Sequence, residues 1–147
     1  MNYYEQIKTE LINNEVYQKA KDYSKNKSDL TTYYNVGKLI VEAQGGELKS
    51  KYGNQLIKEY SLKLTKELGK GYSWRNLYNM RAYYIKFSNN EILHTLCAKS
   101  TWSHIRELLS FDDNKIYYYL KEISIYNLGV RELQTRIRNH EYERLDV

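Results

Sequence analysis

Gly69-Lys70-Gly71-Tyr72-Ser73-Trp74-Arg75-Asn76-Leu77-Tyr78-Asn79-Met80 is the stretch that decides how this chain folds. Gly69 can take the left-handed conformation that stops a helix, Gly71 adds a second flexible point, and Ser73 can accept from the free N–H groups of a following helix. On the upstream side, Gln55–Leu68 repeats Leu56, Tyr60, Leu64 and Leu68 at one-turn spacing with charges between them, which predicts an amphipathic helix. Downstream, Trp74 to Phe87 places Leu77, Met80, Tyr84 and Phe87 on one side and Arg75, Asn76, Asn79, Tyr83 and Lys86 on the other. Two helices joined by so short a Gly-containing turn must pack directly and steeply, the helix-turn-helix arrangement.

The outer face of the second helix has the chemistry to read a base edge. Arg grips two acceptors of guanine, and Asn pairs one donor and one acceptor with adenine, so Arg75, Asn76, Asn79 and Tyr83 are candidate groove residues. The start of the helix at Ser73 suits a phosphate, because unpaired N–H groups and the helix dipole favour an anion there. Lys63, Lys66 and Lys70 are candidate backbone contacts, and Tyr72 and Lys86 complete the candidate DNA-binding surface. Solvation alone also puts Arg and Asn on helix surfaces, so the charge distribution has to decide. Lys49 to Lys86 holds nine basic and two acidic residues, whereas the remainder of the chain holds 14 basic and 16 acidic. The excess positive charge of +5 is therefore local and coincides with the candidate reading helix, as a polyanion-binding surface requires.

A chain of 147 residues is long enough to bury a core without disulfides, and a single domain is expected. One cysteine, Cys97, excludes an internal disulfide framework, and its apolar surroundings at Ile92–Ala98 fit a buried thiol in a reducing compartment. No apolar run approaches the roughly 20 residues needed to cross a bilayer, and residues 1–5 lack a signal-peptide pattern. A cytoplasmic location is the expectation. No proline and only seven glycines leave few backbone breaks, which favours long helices and an all-α fold. The 17 tyrosines fit half-buried helix positions better than a general base-stacking role.

Periodicity predicts about seven helices in one compact bundle. The first spans residues 3 to 24, Lys25–Asp29 breaks it, and the second runs from Leu30 to Gln44 with Gly37 admitting a close neighbour. Beyond Phe87 come a turn at Ser88-Asn89-Asn90 and a short apolar helix at Ile92–Ala98. A helix capped by Thr101 follows, with Trp102, Ile105, Leu108 and Leu109 facing inward; the next is capped by Asp112 or Asp113, and the last begins near Leu128.

Catalytic patterns are missing from the sequence. His94, His104 and His140 show no zinc-site spacing, and neither a P-loop nor a Gly-x-Ser-x-Gly elbow occurs. His94 and Cys97, one turn apart on an apolar stretch, read as core residues. Asp112-Asp113-Asn114-Lys115 superficially resembles a nuclease Asp-x-Lys but reads as an N-cap. No cofactor and no metal are expected.

The order of Tyr34-Asn35-Val36-Gly37-Lys38-Leu39-Ile40, Tyr52-Gly53, Ser61-Leu62 with Leu64, Gly69 to Arg81, Trp102-Ser103-His104, Arg131-Glu132-Leu133 and Tyr142-Glu143-Arg144-Leu145 resembles the N-terminal domain of the bacterial YhcG-like family. The resemblance implies an all-helical, helix-turn-helix-like domain that in the full family precedes a PD-(D/E)xK nuclease. This chain stops at Val147 and has no proline for that motif's Pro-Asp, so nuclease activity is not expected of it. Duplex rather than single-stranded DNA is the expected partner of a non-catalytic binding module. The alternative is a protein-interaction module, a dimerisation domain or an inhibitor docking on a nuclease or defence protein, with Trp74, Tyr78 and Tyr117-Tyr118-Tyr119 as exposed anchors.

Overall fold

The computed structural model describes residues 2–20, 25–45 and 53–145 and is all-α. Among the described residues there are eight α-helices, α1 Tyr3–Ala20, α2 Lys25–Ala43, α3 Gly53–Leu68, α4 Trp74–Ser88, α5 Glu91–Leu96, α6 Trp102–Leu108, α7 Asp113–Tyr126 and α8 Val130–Arg138, with 3-10 turns at Cys97–Lys99 and Glu143–Leu145 and no strand. The chain divides into two compact units, Met1–Ile85 and Lys86–Val147. None of the described helices is long and apolar enough to cross a membrane.

In the first unit α1 and α2 pack along each other, sealing Ile7, Leu11, Val36 and Ile40 away from water. The expected break at Lys25–Asp29 is instead the first turn of α2. No Gly or Pro interrupts that polar run, and Asp29 accepts a 3.0 Å hydrogen bond from Asn14 of α1, which ties the turn down. Residues 21–24 and 46–52, including the expected end of the first helix, Lys49 and Lys51, lie outside the described residues. Gly37 permits the close approach its position predicts: a Cβ there would sit 2.1 Å from the carbonyl oxygen of Met80, so only glycine lets α2 and α4 meet.

On α3 the buried line is Ile57 and Leu64, with Leu56, Tyr60 and Leu68 only half-buried. The stripe is rotated by one residue at its start from the expected Leu56, and Ile57 takes the inner place. α3 is latched to α1 by Glu67, which accepts from the Tyr4 hydroxyl at 2.7 Å and pairs with the Lys8 ammonium. Those hydrogen bonds, Lys8's the stronger, hold the Glu67 carboxyl below its usual 4.5 and hold Lys8 above its usual 10.5.

The second unit shows what its motifs are for. Asn90 caps α5, Thr101 caps α6 and Asp112 caps α7, the last two as the sequence predicts. In the Trp-Ser-His block, Trp102 is buried and His104 takes the place of the acidic residue of a capping box. Its Nδ1 accepts the Thr101 N–H at 2.9 Å, so Nε2 carries the proton it donates to the Leu128 carbonyl at 2.8 Å, pinning the segment that leads into α8. All four expected inward residues of α6 are buried. The C-terminal turns are held on α7 by Tyr118 to Glu141 at 2.8 Å, Lys115 to Glu143 at 2.6 Å and the Tyr142 N–H to the Tyr119 hydroxyl at 3.3 Å.

Candidate nucleic-acid interface

The connection between α3 and α4 is a tight turn with the parts its residues predict. Gly69 and Gly71 have φ of 98° and 109°, values favourable only to glycine. Ser73 caps α4, its Oγ accepting the Asn76 N–H at 3.1 Å. Three further bonds fix the turn: Asn76 Nδ2 donates to the Gly71 carbonyl at 2.9 Å, Ser61 Oγ to the Tyr72 carbonyl at 2.7 Å, and the Tyr72 hydroxyl to Glu15 of α1. Burial, followed by the bond to that carboxylate, pushes the Tyr72 phenol well above its ordinary value of 10. The side chains of Tyr72 and Asn76 therefore shape the loop rather than stand free before a ligand.

The face expected along the whole of α4 divides near its middle. Arg75 is exposed, Asn79 is half-exposed, and Trp74 and Tyr78 keep 41% and 42% of their surface in water. Further along, Tyr83 is 1% exposed, which corrects its place in the groove-facing set. It lies three residues after Met80 and four before Phe87, on the buried side of the helix, and packs edge-on against Tyr34 with centroids 5.8 Å apart. Lys86 is spent as well, its ammonium donating to the Phe111 carbonyl at 2.8 Å. Arg81, counted in the basic window, is 8% exposed, and its Nε donates to Gln44 at 2.6 Å.

Of the window's seven cations among the described residues, five stand on the surface, Lys58, Lys63, Lys66, Lys70 and Arg75. On α3, Lys58 lies on the α4 side and Lys63 on the α1 side, with Lys66 between them on the outward face. The Lys63 ammonium lies over the Tyr4 ring at 5.2 Å. The Lys58 ammonium and the Arg75 guanidinium both lie within cation–π reach of Trp74, 5.7 and 5.8 Å from the ring centre. Of the acids close to this surface, Glu67 is engaged by Tyr4 and Lys8 and Glu15 by Tyr72, while Glu59 is exposed on α3 one turn before Lys63.

The Lys58–Trp74–Arg75 grouping is what the motif reading missed as a unit. Its sequence signal is a Trp at the first position of a helix, directly followed by Arg, with a Tyr one turn on. The tyrosine run of α7 splits, Tyr117 exposed, Tyr118 half-buried and Tyr119 buried. Among the described residues no group of three His, Cys, Asp or Glu side chains converges on a metal-sized space. The Cys97 thiol is buried and donates to the His94 carbonyl at 3.0 Å.

These features are those of an all-helical domain. Residues 6–144 match the DUF1016 N-terminal domain, and the chain belongs to that family. A 71-residue segment, 48% of the chain, is 42% identical to the Escherichia coli (strain K12) protein named "Putative nuclease YhcG", of which it covers 19%. The chain thus matches about a fifth of the length of that relative. No solved structure matches it.

Proposed function

We propose that this domain is a non-catalytic, helix-turn-helix-like DNA-binding module whose contact surface is the outward face of α3, the Gly69–Ser73 turn and the first half of α4. The observation that carries the reading is the set of five exposed cations, Lys58, Lys63, Lys66, Lys70 and Arg75, around a helix start whose turn is rigidly tied. Lys63, Lys66 and Lys70 contact phosphates. The N–H groups of Trp74 and Arg75, in the first turn of α4 and outside its own ladder, suit another. Arg75 and Asn79 reach base edges, so direct base contacts are few. As part of the DUF1016 family the module would deliver a nuclease to its substrate, with no chemistry of its own.

Salt titration of binding to a labelled duplex, followed by anisotropy, tests this. About four phosphate contacts, three lysines and the helix start, give a log–log slope near −3 to −4. An affinity that stays flat as salt rises contradicts the reading. A second reading, a protein-interaction module, is favoured by Leu62, which is 74% exposed on α3, and by Ile125 and Tyr126 exposed at the end of α7. A salt-insensitive self-association detected by light scattering would support it.

A further inference from the structure

Trp74 is the least expected feature of this surface. Its neighbour Leu77 is sealed, yet the indole itself, with a large apolar face to hide, remains 41% exposed at the head of α4. Tyr78 stands one turn further along the same side, exposed to the same degree. The Lys58 ammonium and the Arg75 guanidinium lie over the indole ring, 5.7 and 5.8 Å from its centre, and no ion pair among the described residues involves either. Half-exposed aromatic rings, one of them covered only by long side chains whose charges no ion pair holds, match a ligand that is itself a flat ring attached to anions, which can draw the cations off the ring as it stacks.

A nucleotide has that chemistry. A paired base in continuous duplex does not present it, because both of its faces are covered by neighbours in the stack. An unpaired base can lie on an aromatic ring while its adjoining phosphate meets Lys58 and Arg75 turns to the base edges of the duplex beside it. An apolar protein segment would cover the rings but leave Lys58 and Arg75 without counter-charge.

Resting on the DNA-binding reading above, we infer that Trp74, with Tyr78 beyond it, is a stacking platform for an unpaired base, so that the preferred DNA carries an unpaired segment beside its duplex. The duplex arm lies on the cations of α3, and the first unpaired base leaves the stack at Trp74. The site has no requirement for base identity, because every base offers a ring face.

The chain contains two tryptophans, and Trp102 is buried, so quenching of intrinsic emission reports on Trp74. The intact chain is titrated with a blunt duplex, a forked duplex of the same arm and an oligothymidylate, reading emission and anisotropy together. Fork and oligothymidylate quench the emission, and the blunt duplex binds without quenching. Trp74→Ala weakens the fork about tenfold or more and the blunt duplex less than about twofold, and Trp74→Phe restores most of the loss. Circular dichroism melting of both variants confirms that they fold. Fork binding without quenching, or equal weakening of fork and blunt duplex, overturns the platform and leaves the DNA-binding reading standing. Absence of binding to all three DNAs overturns both.

Discussion

The two halves of α4 are made from similar residues and have opposite fates. Trp74, Arg75, Tyr78 and Asn79 in the first half meet water, whereas Met80, Arg81, Tyr83 and Phe87 in the second are buried. Each half contains aromatics and an arginine, so composition does not distinguish them. What does is the neighbour. Gly37 of α2 brings backbone against backbone at Met80, and from there Tyr34 covers Tyr83 while Gln44 meets Arg81. In the first half Leu77 is sealed and the turn is tied at Ser73 and Asn76, while Trp74, Arg75 and Tyr78 stay open to water. An arginine at position 81 is thus a structural hydrogen-bond donor, and one at 75 is a surface cation available to a ligand.

Substitutions in the two halves should therefore separate stability from binding. Tyr83→Ala empties a sealed site and is expected to destabilise by about 3–5 kcal/mol in urea unfolding. A loss under 1 kcal/mol would mean that the second half is not packed as described. Gly37→Ala drives a methyl group into the Met80 carbonyl and is expected to lower stability by about 3 kcal/mol, since backbone rather than a flexible side chain must give way. An unchanged melting temperature would deny the close crossing. Arg75→Ala, in the open half, should leave melting unchanged and weaken the preferred DNA by about 1–3 kcal/mol while relaxing sequence preference. Lys66→Ala should weaken all sequences alike and make the salt slope shallower by about 1.

The smallest effect concerns the α1–α3 latch. Glu67 is held below its usual 4.5 in the folded protein, so its contribution is complete above that value and fades as pH falls through the folded value. Lys8, held above 10.5, contributes below that value and loses its part as the medium becomes more alkaline than the folded value. Acid titration of the melting temperature should accordingly show a small loss below about pH 4.5 that Glu67→Gln removes. An identical acid profile in the variant would exclude the latch.

The frame was largely legible in the sequence. Helical periodicity, the caps at Ser73, Thr101 and Asp112, and the close approach at Gly37 all follow from local chemistry. The division of α4 was not legible, for a definite reason. From Met80 to Phe87 the helix carries Met80, Ala82, Tyr83, Tyr84, Ile85 and Phe87, apolar or aromatic almost all round, so periodicity cannot choose between Tyr83 and Tyr84 as the inner ring. The fates of Arg81 and Lys86 depend on partners 37 and 25 residues away, Gln44 and Phe111. Likewise the start of α2 at Lys25 depends on Asn14 meeting Asp29, a contact between helices that no window on the sequence contains.

The most direct test is an amide chemical-shift titration of the isotope-labelled chain with duplex DNA at low salt. The account predicts perturbations concentrated at Lys58–Lys66 and Gly69–Asn79, with the amides from Arg81 to Phe87 nearly still. Perturbations centred on α7 and α8, or spread evenly along α4, would contradict it.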